Sequence, residues 1–274
     1  MFIGVDIGGT KIRVAGSRLG RQIDYSIKIA TPINQHGAIG LISQAIEKVC
    51  KISQIDAIGI SAPGPLDIEN GMILKPNNLT WRNLELVTPL KKRFNCPIIL
   101  EHDAACGAIA EARTGAGKNH RNMLYITIST GIGTCFTVDG VPIKGRFNSE
   151  GGKQIIDYDH HVRHQELGSF EYIVSGKAIK RRFGKIAAEI DDPATWQLIA
   201  YDLSVGIYNL ITITSPDIVV LGGGVSVHFE HFERYLNENL KRYPAFYPLP
   251  MVVQAKYVET APTLGAIMLA SQES

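Results

Sequence analysis

The sequence predicts an α/β protein built from two units of similar plan. Short apolar strands alternate with segments of helical periodicity along most of the chain. An apolar strand, a glycine turn and a second strand open both halves of the sequence. The length of 274 residues also exceeds the usual size of a single domain, which is about 100 to 200 residues. We therefore expect a duplicated architecture.

The first half opens with a hairpin and continues in the order strand, helix, strand. Gly8 and Gly9 separate two apolar runs, as in a tight turn. Later strands follow helices, which implies crossover connections and parallel pairing. Gly71 marks a further hairpin-like stretch. The predicted strands are 2–6, 11–17, 22–30, 56–61 and 97–101, and the predicted helices are 37–52, 83–94 and 103–113.

The second half repeats this plan without residue-level identity. Two apolar strands lie at 123–129 and 134–138, and Asp139-Gly140 suits a hairpin turn after them. A third buried strand is predicted at 217–221. The predicted helices are 175–183, 194–213, 228–242 and 262–271.

Composition favours small-molecule chemistry. A net charge of +2 and a pI near 8.3 are too mild to indicate a nucleic-acid or membrane surface. The amino terminus lacks the pattern of a secretory signal, and no apolar run is long enough to span a bilayer. Cys50, Cys96, Cys106 and Cys135 are scattered, which predicts reduced structural thiols. We expect a cytoplasmic protein.

The strongest local signal is the segment from Asp6 to Lys11 between two strands. Paired glycines let backbone N–H groups approach an anion, and a threonine adds a hydroxyl donor. Asp6 ends a buried strand and could hold Mg²⁺ directly or through water. The alternative is an ordinary glycine turn with a capping aspartate. The candidate nucleotide ligands in this segment are Asp6, Gly8, Gly9, Thr10 and Lys11.

Two later glycine-rich segments predict further nucleotide contacts. Ser129 to Thr134 again places hydroxyls beside glycines between apolar strands. A glycine run after the strand 217–221 would let a nucleotide base or ribose approach the backbone. This glycine run does not match the dinucleotide fingerprint at the start of a Rossmann unit. The candidate ligands are Thr130, Gly131, Gly133, Gly222, Gly223 and Gly224.

These motifs together resemble the ROK family of sugar kinases. The segments DIGGTK (6–11), GISAPGPLD (59–67), PNNLTW (76–81), EHDAACGAIAE (101–111), ISTGIGT (128–134) and LGGGVS (221–226) occur in the family's order over nearly the whole chain. The resemblance implies an actin-like, hexokinase-like ATPase fold with duplicated ribonuclease H-like domains. It implies one lobe from 1–113 plus 262–274 and another from 114–261, with Mg-ATP and a sugar bound in the cleft.

The resemblance also implies a catalytic base. In the family, the aspartate of the E-x-D-A segment accepts the proton of the sugar hydroxyl, and that position is Asp103 here. Phosphoryl transfer needs mainly alignment, charge neutralisation and one positioned base. The alternative role for Asp103 is to cap the following helix, and both roles can coexist.

The sugar ligands implied by the resemblance are Asn77 or Asn78, His102, Asp103, Glu150 and Glu171. The doubled asparagine leaves two candidates for one position. His102 stands where the family usually has asparagine. The alternative for Glu150 and Glu171 is a solvated charge.

The segment 150–171 departs from the family. Many members carry a zinc module there, made of a G-H pair and three cysteines, but this segment has no cysteine and has Lys153 at the usual histidine position. We therefore expect no structural zinc of that type. An alternative divalent site could use His160, His161 and His164 with Asp157 and Asp159.

Two other functions compete with kinase activity. A sugar-responsive ROK regulator would carry a DNA-binding domain ahead of the first phosphate strand; this sequence starts at that strand, so we expect no regulator of that kind. A catalytically silent sugar sensor would account for the altered zinc region and for His102, whereas Asp103 and the two glycine loops favour an enzyme. Among sugars, glucose is favoured over other hexoses and N-acetylhexosamines, and a homodimer is compatible with the sequence.

Overall fold

The computed structural model describes residues 1–51, 53–145, 147–159, 168–244 and 247–273. The chain divides into unit 1, residues 1–110 with 260–274, and unit 2, residues 111–259. The strands are β1 (Phe2–Ile7), β2 (Lys11–Ser17), β3 (Tyr25–Ala30), β4 (Ala57–Ala62), β5 (Leu66–Asp67), β6 (Met72–Ile73), β7 (Leu84–Glu85), β8 (Ile98–His102), β9 (Asn122–Ile128), β10 (Ile132–Val138), β11 (Val141–Pro142), β12 (Ile218–Gly222) and β13 (Met251–Gln254). The α-helices are α1 (Ala38–Cys50), α2 (Val87–Phe94), α3 (Asp103–Thr114), α4 (Phe170–Val174), α5 (Gly176–Phe183), α6 (Pro193–Thr214), α7 (Phe229–Leu240) and α8 (Ala261–Ala270).

The main sheets of the two units share one topology. In unit 1 the strand order is β3-β2-β1-β4-β8, and in unit 2 it is β11-β10-β9-β12-β13. In each sheet the first three strands pair antiparallel and the last three pair parallel. The duplicated architecture expected from the sequence is thus confirmed.

In unit 1, the sheet packs closely against α8. A Cβ on Gly59 of β4 would lie 1.9 Å from the carbonyl oxygen of Ala266, and one on Gly265 would lie 1.8 Å from the carbonyl oxygen of Cys106 in α3. Only glycine permits backbones to approach this closely. The close approach explains why α8 is apolar nearly all round: most of its residues are buried.

In unit 2, the core lies between the sheet and helices α6 and α7. Trp196, Leu203 and Phe232 are fully or almost fully buried there. Gly206 of α6 faces the ring of Phe170, where a Cβ would lie 2.5 Å from the nearest ring atom. This contact holds the short helix α4 against α6 and so fixes the position of Glu171, the next residue.

Most predicted elements are confirmed within a few residues, and three differences have local causes. The helix predicted at 83–94 begins only at Val87, because residues 84–85 pair with β6 as strand β7. Strand β13 and helix α4 are short and lacked a recognisable period in the sequence.

The four cysteines are buried and free, as predicted. Within the described ranges, no helix combines the length and apolarity needed to cross a membrane.

Candidate active site

In unit 1, polar side chains gather at the carboxyl edge of the three parallel strands β1, β4 and β8. Ser61 of β4 is buried and donates a hydrogen bond of 2.9 Å from its hydroxyl to Oδ1 of Asp6 on β1. Burial raises the pKa of Asp6 to about 6; the negative charge of Asp103 also raises it, while the Ser61 hydrogen bond opposes the shift. The surrounding protein therefore does not fully offset the cost of burying the negative charge of Asp6.

Asp103 lies at the same edge, where β8 ends and α3 begins. Its Oδ1 accepts a hydrogen bond of 2.7 Å from the amide of Ala104 and lies 3.3 Å from Nδ1 of His102. The Asp103 side chain is about one third exposed, whereas His102 is buried. Asp103 is thus an accessible carboxylate whose orientation is fixed by the helix start, and His102 lies beside it.

The β1–β2 turn carries the predicted residues Gly8, Gly9 and Thr10, and Lys11 begins β2 with its side chain exposed. Thr31 anchors this turn: its hydroxyl donates to the carbonyl of Gly8 at 2.7 Å. A Cβ on Gly9 would lie 2.7 Å from the carbonyl oxygen of Asn78. Gly9 therefore has a packing role as well as the predicted openness to an anion.

The structure distinguishes the two adjacent asparagines. Asn77 is exposed, whereas Asn78 is partly buried beside Gly9. The side-chain oxygen of Asn78 is buried and accepts no hydrogen bond from the described residues. A buried amide oxygen without a partner is unfavourable unless a ligand supplies a donor. This geometry favours Asn78 over Asn77 as the asparagine that contacts the sugar.

In unit 2, the β9–β10 turn contains Ser129, Thr130 and Gly131 at the position that Gly8 to Thr10 hold in unit 1. The amide of Gly176, at the start of α5, donates to the carbonyl of Ser129 at 2.7 Å. Gly133 lies beyond the turn, within β10, where it pairs with Thr127. Of the predicted residues, Thr130 and Gly131 thus form the turn itself.

Glu171 lies directly against this turn. Its Oε2 accepts a hydrogen bond of 2.9 Å from the amide of Ile132, and a Cβ on Gly131 would lie 2.3 Å from the same oxygen. Its Oε1 forms an ion pair with the ammonium of Lys153. Glu150 is exposed in the segment before Lys153. The sequence singled out Glu171 but gave Lys153 no role, because 18 positions separate the partners.

The three glycines after β12 have different surroundings. A Cβ on Gly222 would lie 2.4 Å from the hydroxyl of Tyr125, and Gly223 has a φ of +88° and faces the carbonyl of Ile128. Both positions are thus explained by packing and backbone conformation. Gly224 differs, since a Cβ there would meet nothing within 4 Å. Gly224 is the glycine of this run that faces open space.

The alternative metal site predicted from the sequence depends on three histidines. His160, His161 and His164 lie outside the described residues. In the part of the chain that is described, no three His, Cys, Asp or Glu side chains group together as a metal-ligand set.

The model of the ROK family matches residues 2–273. A fructokinase from Lactococcus lactis subsp. cremoris is 30% identical over 239 residues, which cover 81% of this chain and 78% of the relative. A glucokinase from Thermotoga maritima is 28% identical over 303 residues, with coverages of 97% and 95%. A crystal structure of a ROK family glucokinase from Streptomyces griseus, in complex with glucose and AMPPNP, has a TM-score of 0.87 at 26% identity and covers 99% of each chain.

For the solved ROK structures the similarity covers 98% or more of each chain, and it confirms the predicted actin-like, hexokinase-like ATPase fold. The match of the family model from residue 2 to residue 273 establishes that the chain belongs to the ROK family.

Proposed function

We propose that this protein is an ATP-dependent sugar kinase that transfers the γ-phosphoryl group to a hydroxyl of a hexose, with glucose as the favoured sugar. The observation that carries the proposal is the accessible carboxylate of Asp103 at the sheet edge that also holds Asp6. Relatives that match over 78% to 95% of their own length are named glucokinase and fructokinase, and the Streptomyces griseus structure contains glucose and AMPPNP. These names support the reaction class but differ in the sugar.

In this proposal Asp103 is the general base. Its carboxylate accepts the proton of the attacking sugar hydroxyl, which makes the oxygen a better nucleophile toward the γ-phosphorus. The Ala104 amide and the neighbouring His102 restrict the rotation of the carboxylate. His102 is buried, so we assign it to orienting Asp103 in addition to the sugar contact expected from the sequence.

Mg²⁺ fits at Asp6. The carboxylate is partly enclosed, its pKa is raised to about 6 by burial, and a cation would compensate the charge that the protein leaves uncompensated. Mg²⁺ commonly uses one or two carboxylates and keeps several waters, so it needs no larger protein cage. When bound, the ion neutralises negative charge on the phosphate oxygens. Ser61 keeps Asp6 in a fixed orientation.

The remaining candidates divide by ligand. For the nucleotide phosphates we assign the turn residues Gly8, Gly9 and Thr10 of unit 1, with Lys11, and Thr130 and Gly131 of unit 2. For the base or ribose we assign the run 222–224, with Gly224 approaching the ligand most freely because of its open surroundings. The sugar ligands are Asn78, His102, Asp103, Glu150 and Glu171, since amides and carboxylates can bind paired hydroxyls.

We place the enzyme in the cytoplasm. We also expect no structural zinc in it. The segment 150–171 contains no cysteine, and thiolates are the main ligands of structural zinc sites. Lys153, at the usual histidine position, pairs with Glu171 instead.

The test is coupled ADP release with Mg-ATP across a panel of hexoses and N-acetylhexosamines. Asp103→Ala should lower turnover about 10²-fold or more, the scale expected for a lost general base. Asp103→Asn is the matched variant, because it keeps the shape and the Ala104 contact but cannot accept the proton. Both should still bind AMPPNP.

Full turnover by Asp103→Ala would show that the base is misassigned. If the unaltered protein releases no ADP with any sugar but still binds ATP, the sugar sensor is favoured instead.

A further inference from the structure

The ion pair between Lys153 and Glu171 has an unusual position for a surface pair. It lies against the β9–β10 turn, where one Glu171 oxygen contacts Gly131 and accepts the Ile132 amide. The side chains of Lys153 and Glu171 are 43% and 28% exposed. Exposed ion pairs contribute only about 0 to 1 kcal/mol to stability. Folding stability alone therefore gives little reason for this pair.

The backbone holds Lys153 close to this turn. The residues Gly151–Lys153 form one turn of 3₁₀ helix against β10. The amide of Gly151 donates to the Thr134 hydroxyl at 2.9 Å, and a Cβ on Gly152 would lie 2.2 Å from the carbonyl oxygen of Ile132. The lysine is thus presented by a segment packed on the strand that follows the turn.

The negative charge of Glu171 lies beside the β9–β10 turn and would affect any anion that binds there. Under the proposed function, Thr130 and Gly131 bind a polyanionic triphosphate. A bare carboxylate touching Gly131 would repel that ligand, because like charges a few ångströms apart interact strongly at a partly desolvated site. The ammonium of Lys153 cancels the charge of Glu171 at this point.

We propose that Lys153 is a positioning and charge-neutralising residue for nucleotide binding: it holds Glu171 in place and shields the triphosphate from its carboxylate. This inference rests on the proposed function, since it requires the turn to bind phosphate. It gives Lys153 a role in ATP affinity, whereas Glu171 itself is assigned to the sugar.

The test measures the affinity for AMPPNP with Mg²⁺, by titration calorimetry in the absence of sugar. Lys153→Met should weaken binding about 10-fold, because it leaves Glu171 uncompensated. Lys153→Arg keeps the charge and should stay within about 3-fold of the unaltered protein. The gap between Lys153→Met and the unaltered protein should shrink near 0.5 M KCl, since salt screens exposed charges.

A double variant separates charge neutralisation from other roles. Adding Glu171→Gln to Lys153→Met removes the repelling carboxylate and should restore AMPPNP affinity to within about 3-fold. Lys185→Met is the matched control, since Lys185 forms an exposed ion pair with Asp191 in the same unit. That variant should bind like the unaltered protein, and circular dichroism checks that every variant is folded.

Weaker AMPPNP binding in Lys153→Met, together with near-normal binding in Lys153→Arg and in the double variant, would support the inference. Unchanged affinity in Lys153→Met would overturn it while leaving the proposed function intact. A double variant as weak as Lys153→Met would also overturn it, because the lysine would then act by direct contact with the nucleotide. If the unaltered protein does not bind AMPPNP, the proposed function fails and the inference fails with it.

Discussion

Glu111 gives the sharpest prediction about stability. This residue of α3 is fully buried, and its carboxylate accepts three backbone hydrogen bonds within unit 2. The amides of Ala116 and Lys256 donate to Oε2 at 2.7 and 3.0 Å, and the amide of Tyr257 donates to Oε1 at 2.7 Å. The carboxylate thereby fastens the end of α3 to a segment that lies 145 residues further along the chain.

The cost of removing this carboxylate follows from the donors it satisfies. An N–H group that loses its partner costs about 1 to 3 kcal/mol, and the upper end applies to groups fully shielded from water. The three donors here are part-buried, so each lies near the lower end. Glu111→Ala should therefore cost about 3 kcal/mol, which is a large part of the typical stability of a domain, about 5 to 15 kcal/mol. Glu111→Gln keeps one acceptor oxygen but turns an NH₂ group toward a donor, so its cost should be intermediate.

The assay is equilibrium unfolding in urea, followed by tryptophan fluorescence. Trp196 is buried in unit 2 and Trp81 in unit 1, so a Trp81→Phe background isolates the signal of unit 2. Glu230→Ala is the control, because that side chain is 85% exposed. The reasoning is refuted if Glu111→Ala unfolds at the same urea concentration as Glu230→Ala.

Two other predictions concern the candidate site. Gly9→Ala should lower kcat/KM about 10- to 100-fold in the ADP-release assay, because its Cβ would lie 2.7 Å from the Asn78 carbonyl and must displace the turn. Gly40→Ala in α1 is the matched control; its Cβ meets nothing within 4 Å, and activity should not change. Metal analysis of the purified protein should find no stoichiometric zinc, and one zinc per chain would contradict the assignment of the segment 150–171.

The sequence predicted the elements whose signals are local. An apolar run bounded by glycines predicts a strand, and apolar residues at helical spacing predict a helix. The strands β1, β2, β9 and β10 with their glycine turns were located in this way, as were the long helices α1 and α6. The duplication was also predictable, because each unit opens with the same strand, turn and strand.

Local patterns misplaced the start of α2 for a physical reason. Leu84, Val87 and Leu90 have a spacing that suits a helix, but the backbone of residues 84–85 pairs with β6 as a strand. Tertiary pairing overrides local periodicity in such short segments. Strand β13 was missed because its four residues gain strand geometry only from pairing with β12.

The sequence by itself determined the fold class, the family motifs and the identity of the candidate base, because each depends on residue types at short, fixed spacings. Only the tertiary structure distinguished Asn78 from Asn77, since burial of the amide oxygen depends on its packing against the β1–β2 turn. It alone paired Lys153 with Glu171 and gave Glu111 its three donors. Charge compensation and hydrogen-bond satisfaction join residues that are distant along the chain, so they are decided only when the chain has folded.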